Sequence, residues 1–110
     1  FMIEKKSAVD DIENICKVQG VDMIQFGPSD YCMSIGCNSA EHKAEWKAAE
    51  KHCIEVALAS GVRPRVELYN PEDAEYYKEL GVKDFCIGDE FDILKDYWSN
   101  VGGKMKSMVK

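Results

Sequence analysis

Positive charge is scarce in this 110-residue chain: 14 lysines and arginines face 20 aspartates and glutamates, for a formal net charge of −6. A surface that gathers phosphates needs clustered Lys and Arg, so the balance argues against a nucleic-acid partner. Long apolar runs are also missing. No stretch approaches the ~20 residues that cross a bilayer as a helix, and no signal-peptide pattern is visible. Proline is sparse at three residues, and histidine at two. Paired cysteines are lacking too: Cys16, Cys32, Cys37, Cys53 and Cys86 are odd in number and scattered through apolar segments. Such spacing reads as free thiols in a cytoplasmic protein rather than as a disulfide framework. What remains is ordinary for one globular domain, with 45% hydrophobic and 31% charged residues.

Glycine supplies the punctuation. Three helix-like segments end in glycine followed by valine and a short apolar run, at Gly20-Val21, Gly61-Val62 and Gly81-Val82. A glycine just past a helix is the left-handed cap that closes its last turn, and the valine opens a strand. The predicted strands are Val21–Phe26, Val62–Leu68 and Val82–Ile87, with Phe1–Glu4 as the tail of a fourth. Pro64 falls inside the third, where a missing N–H would harm a central pairing, so that strand is expected to start at Arg65 or irregularly. Between the strands, Ser7 is a candidate N-cap for a helix striped by Ala8, Ile12, Ile15 and Val18. A longer helix from near Ala40 carries Trp46, Ala49, Cys53, Val56 and Ala57. Asn70-Pro71 caps a short helix that buries Ala74, Tyr77 and Leu80. Ile93, Leu94, Tyr97, Trp98 and Val101 stripe a final helix expected to end at Gly102-Gly103 before a frayed basic tail. Four βα units imply a parallel sheet with right-handed crossovers. A complete (β/α)₈ barrel takes ~250 residues, so the expected fold is α/β, one domain over residues 1–110, built as half of such a barrel.

Ligands of α/β proteins bind at the carboxyl ends of the strands. Two carboxylates fall there on successive strands: Glu4 after the first, and Asp30 in the loop Gln25-Phe26-Gly27-Pro28-Ser29-Asp30 after the second. Paired hard oxygen donors suit Mg²⁺ or Mn²⁺, with Co²⁺ as a further option, better than zinc. Gly27 is expected to let a ligand approach the backbone without a Cβ in the way.

Ile3-Glu4-Lys5-Lys6, Gly20-Val21-Asp22-Met23, Phe26-Gly27-Pro28-Ser29-Asp30-Tyr31 and Met33-Ser34-Ile35-Gly36 together resemble the HpcH/HpaI aldolases. These are metal-dependent class II pyruvate aldolases related to 2,4-dihydroxyhept-2-ene-1,7-dioate aldolase. The resemblance runs from residue 1 to about residue 100 and corresponds to strands five to eight of the family barrel. It implies that Glu4 and Asp30 ligate the divalent metal, which a pyruvate or its enolate also chelates. The backbone N–H groups of Ser29 and Asp30 then hold the substrate carboxylate. The family's oxyanion-stabilising arginine and proton-transferring histidine come from its N-terminal half and have no counterpart here. Arg63, Arg65, His42 and His52 do not match those positions. The implied activity is cleavage of a 4-hydroxy-2-oxo acid to pyruvate and an aldehyde, with the isolated half expected to be inactive.

Simpler roles compete for each of these residues. A glutamate at a strand end is usually just solvated, and Asp30 would serve equally well as a helix-cap residue. Cys32, Cys37 and His42 invite a zinc reading, but no second Cys-x₂-Cys pair supports it and the thiols look like core filler. Asp89-Glu90 reads as a cap on the last helix. A non-catalytic binding or assembly module is the main alternative function. An acyl-CoA lyase-type barrel is a further one, disfavoured by the acidic balance. The expected partners are a small 2-oxo acid, and either a second copy or the other half of the barrel. Two open sheet edges and the apolar Tyr97, Trp98, Val101, Met105 and Met108 predict self-association.

Overall fold

A computed structural model describes residues 1–109. Four strands, β1 (Met2–Ile3), β2 (Met23–Phe26), β3 (Arg63–Leu68) and β4 (Asp84–Ile87), form one sheet in the order β1-β2-β3-β4. All pairings are parallel, in the registers Ile3↔Phe26, Gln25↔Arg65 and Leu68↔Ile87. Sequential order with parallel neighbours is the pattern of a barrel wall, and it leaves β1 and β4 as the edges expected from the sequence. The glycine caps are where they were expected: Gly20, Gly61 and Gly81 have φ of 93°, 74° and 99°. Each strand begins one or two residues later than its valine because that valine still closes the preceding helix. Val62 N–H, for example, donates to Ala57 O at 2.9 Å.

The expectation that β3 would start at Arg65 is corrected, since Pro64 lies within the strand opposite Ile24. Arg63 N–H points toward β2 and bonds Asp22 O at 3.1 Å. Successive strand amides face opposite sides, so the Pro64 nitrogen faces β4. That pairing begins only at Arg65↔Asp84, so no ladder bond is lost.

Helices cover one face of the sheet. They are α1 (Lys6–Asp10), α2 (Ile12–Ile15), α3 (Pro28–Ser34), α4 (Lys43–Ala59) and α5 (Ala74–Glu79), the last entered through a 3₁₀ turn at Pro71–Asp73. Ile3, Ile24 and Phe26 pack with Ile12, Cys53 and Ala57 in the main core, while Val66 and Leu68 meet Ile54, Tyr77 and Val82. Strand alternation sends Arg63, Arg65 and Glu67 to the opposite, uncovered face. Ser7 does not cap α1. Lys5 holds the N-cap position without a side-chain bond, and the Lys6 N–H is satisfied by Ser34 Oγ from α3 at 3.1 Å. Asn70 caps as expected, its Oδ1 accepting from Glu72 N at 3.1 Å.

The largest departure is at the C-terminus. The last helix does not stop at Gly102-Gly103: α6 (Glu90–Tyr97) passes through a widened π turn at Trp98–Gly102 into α7 (Gly103–Met108). Both glycines keep right-handed helical angles (φ −65° and −61°), so neither supplies the left-handed cap that ends a helix. This arm stretches the molecule to 60 × 30 × 24 Å and a radius of gyration of 17.3 Å, against about 13 Å for a compact chain of this length. No helix among the described residues is long and apolar enough to cross a membrane.

Candidate functional site

The register Ile3↔Phe26 puts Glu4 and Gly27 side by side as their chains leave the sheet. Gly27 is extended (φ −108°, ψ 96°) and precedes the first turn of α3, which contains Asp30. A Cβ built on Gly27 would come within 2.9 Å of Glu4 Cγ and 3.4 Å of Glu4 Oε1. The missing side chain therefore makes room for the Glu4 carboxylate, a different role from the ligand approach expected from sequence. Tyr31 N–H bonds Gly27 O at 2.9 Å as the first amide with a partner inside the helix. The amides of Ser29 and Asp30 precede it and have no intrahelical acceptor. Phe26 and Tyr31, with ring centroids 5.1 Å apart, pin the loop to the core.

A cavity of about 240 Å³ opens at this strand end, and Gly27, Ser29 and Asp30 all line it. Glu4 lies beside it against Gly27. Four further polar groups that the sequence did not disclose complete the walls: Gln25, Glu50, Glu67 and Tyr69. Gln25 is 6% exposed, bonding Glu67 Oε2 at 3.3 Å and accepting from Arg65 Nε. Its one available signal was a lone amide within the apolar run Met23–Phe26, on the face opposite Ile24. Glu50, 5% exposed on α4, accepts from Tyr77 Oη at 2.8 Å and Lys47 Nζ at 3.1 Å. Burial and the neighbouring Glu50 push the Tyr77 hydroxyl well above its ordinary pKa, so it stays a protonated donor.

Glu4 follows β1, and Asp30 lies in the first turn of α3 after β2, so the two carboxylates expected from the sequence to bind a divalent cation flank the Gly27 junction. Among the described residues no cluster of three or more His, Cys, Asp or Glu side chains forms a closed metal cage. Cys16, Cys32 and Cys53 belong to the core: burial raises Cys32 to about 11 and Cys53 to about 12, which keeps both protonated and poor ligands at neutral pH. His42 pairs with Glu45 at 3.3 Å, and His52 is exposed on α4. Asp89 caps α6, its Oδ1 accepting from Asp92 N at 2.9 Å.

A family model described as HpcH/HpaI aldolase/citrate lyase matches residues 1–82. The chain belongs to this family. A 4-hydroxy-2-oxo-heptane-1,7-dioate aldolase of Escherichia coli is 29% identical over 92 residues, covering 84% of this chain and 35% of that protein. One from Shigella boydii matches equally. Among solved structures, the citrate synthase SbnG superposes with a TM-score of 0.87 at 27% identity, over 97% of this chain and 44% of that one. The HpcH/HpaI aldolase of Desulfitobacterium hafniense gives 0.81 at 25% identity, over 96% and 41%. The chain thus spans about a third of the curated relatives and somewhat under half of the solved chains. Its four-stranded parallel sheet corresponds to half of the family's barrel.

Proposed function

We infer that this chain carries the metal- and carboxylate-binding half of a carbon–carbon lyase, a class II pyruvate aldolase that splits a 4-hydroxy-2-oxo acid into pyruvate and an aldehyde. The observation that carries the reading is the junction of Glu4, Gly27 and Asp30, where one glycine clears space for the first carboxylate and opens the helix that presents the second. Glu4 and Asp30 would hold Mg²⁺ or Mn²⁺ (or Co²⁺), and the cation supplies Lewis-acid stabilisation of the charge left beside a carbonyl when the C–C bond breaks. The chain's own contribution is binding and orientation. Ser29 and Asp30 N–H groups receive the substrate carboxylate, favoured by the positive end of the helix. Gln25, fixed by Arg65 and Glu67, forms the floor. The names of the relatives, an aldolase and a citrate synthase, agree with C–C chemistry on such acids.

The chain acts in the cytoplasm, in association with a second copy or with the complementary half of a barrel. Alone it binds without turnover, because none of its own residues at the cavity matches the arginine and histidine expected for oxyanion stabilisation and proton transfer. Titration calorimetry with Mn²⁺ and pyruvate, on the wild type and Asp30→Asn, tests the reading. Wild-type Mn²⁺ binding that strengthens with pyruvate, and its loss in the variant, is expected. Pyruvate affinity indifferent to Mn²⁺ would remove the metal-dependent assignment and favour the non-catalytic module.

A further inference from the structure

The cavity at Ser29 and Asp30 adjoins a larger one of about 700 Å³ between α4 and the segment joining β3 to α5. The two share Trp46, Glu67, Tyr69 and Tyr77 as common walls. Four aromatic rings, Trp46, Tyr69, Tyr76 and Tyr77, line the larger space. Three have their polar tips tied to protein. Trp46 Nε1 donates to Ser39 O at 2.9 Å, and Tyr77 Oη donates to Glu50. The Tyr69 hydroxyl lies 3.0 Å from Glu67 Oε1 and 3.1 Å from Asp89 Oδ2. With their tips occupied, the rings meet the cavity through their apolar parts.

Lys47 sets the polarity of the floor. Its ammonium lies 4.3 Å from the Tyr77 centroid, 4.9 Å from Trp46 and 5.4 Å from Tyr76. Three ring faces therefore converge on one cation. Of its three N–H donors, one goes to Glu50 and one to Tyr77 Oη, with no third acceptor among the described residues. Its charge is balanced at 3.1 Å by the buried Glu50 carboxylate, and Lys43, Glu67, Glu72 and Asp73 are the other charged groups of the lining.

We propose that this larger cavity is a subsite for an uncharged aromatic group bearing a carbonyl or hydroxyl oxygen. The ring packs among Trp46, Tyr69 and Tyr76, and the oxygen accepts the spare Lys47 N–H. Resting on the aldolase reading above, the group is the aldehyde-derived half of the substrate, which the shared wall places next to the 2-oxo acid end.

The test uses the intact ¹⁵N-labelled protein and 4-hydroxybenzyl alcohol, an unreactive probe, with 1,4-butanediol as the aliphatic control. The probe should move the indole N–H signal of Trp46 and leave that of Trp98 in the C-terminal arm unchanged, and butanediol should move neither. Tyr76→Ala, at an exposed position of α5 that lines only the larger cavity, should weaken the probe by about three- to tenfold, the scale of a lost aromatic pairing. A Trp46 signal that ignores the probe, or a Tyr76→Ala affinity equal to wild type, overturns the subsite. Binding is the second arm, since the chain alone does not turn over: with Mn²⁺ present, 4-hydroxy-2-oxo-4-phenylbutanoate should bind more tightly than 4-hydroxy-2-oxopentanoate, and the reverse order overturns the substrate class. Probe binding with pyruvate affinity indifferent to Mn²⁺ leaves the aromatic subsite standing and removes the aldolase reading.

Discussion

Adding one methyl group at Gly27 should damage the proposed metal site far more than the fold. The backbone there is extended (φ −108°), a conformation alanine adopts without strain, so Gly27→Ala carries no left-handed penalty. The new Cβ would stand 2.9 Å from Glu4 Cγ, closer than ordinary carbon contacts of roughly 3.5–4.0 Å. Relief requires a shift of about 0.5–1 Å in Glu4, or an off-rotamer side chain costing ~0.5–1.5 kcal/mol. The clash falls on Cγ, in the middle of the side chain, so the carboxylate must move with it. Displacing a group that orients a metal ligand typically costs ~10–100-fold in metal affinity.

Calorimetric titration with Mn²⁺, paired with thermal unfolding, separates the two effects. Gly27→Ala should lose Mn²⁺ affinity in that range and keep a melting temperature within a few degrees of wild type, since surface-level changes cost ~0.5 kcal/mol. Gly20→Ala is the converse control. Its φ of 93° disfavours any Cβ although no atom lies within 4 Å of one, so it should lower stability and leave Mn²⁺ affinity alone. Undiminished Mn²⁺ affinity in Gly27→Ala would refute the idea that this glycine seats Glu4. A fall in melting temperature without a change in affinity would assign Gly27 to folding instead.

Further outcomes follow from other contacts. Tyr77→Phe leaves the buried Glu50 carboxylate with Lys47 as its only partner among the described residues, so denaturant unfolding should show a loss of about 1–3 kcal/mol. Asp89 has its pKa lowered, chiefly by the Asp92 N–H and also by the Tyr69 hydroxyl. Its contribution to the α6 cap is therefore complete above the carboxylate's unfolded pKa and disappears as pH falls through the lower folded value; amide-exchange protection in α6, taken relative to the intrinsic rate at each pH, should fall in acid for wild type and lose that dependence in Asp89→Asn. Sedimentation of the 12.4 kDa chain at micromolar concentration should show a dimer or larger species that Trp98→Glu with Met105→Glu returns to monomer. A wild-type monomer would refute self-association.

The fold was readable because its signals are local. Gly20, Gly61 and Gly81 each combine a helix stop with a strand start, and the left-handed φ at all three is the physical content of that signal. Gly102-Gly103 misled because two glycines weaken a helix without ending it: a stop needs left-handed geometry, and both residues stay right-handed. The cavity lining was not legible, because it depends on register and helix rotation. Gln25, Glu50, Glu67 and Tyr77 become neighbours only when β2 pairs with β3 and α4 turns one face inward. The neighbour of Gly27 is a side chain 23 residues earlier, which the parallel register Ile3↔Phe26 brings alongside and which its loop sequence does not disclose.

Two uncovered surfaces of this half-barrel differ in kind, and the difference separates their partners. On the open sheet face, Arg63 meets Asp84 at 3.5 Å and Gln25 joins Arg65 to Glu67. Groups so paired hold their strands in register and tolerate water, and burying them against a flat protein surface would cost desolvation with little to offset it. The C-terminal arm is the opposite case. Phe91, Ile93, Trp98 and Met105 are 71%, 60%, 64% and 59% exposed along one continuous helix. Each such side chain gains ~1.5–3 kcal/mol when fully buried, and no surface of its own subunit buries them. Association should therefore be driven through the arm, leaving the polar sheet face and its cavities open to water, a small acid and a cation. Substitutions on the arm should change oligomeric state without changing Mn²⁺ affinity, whereas substitutions at Gln25 or Glu67 should do the reverse.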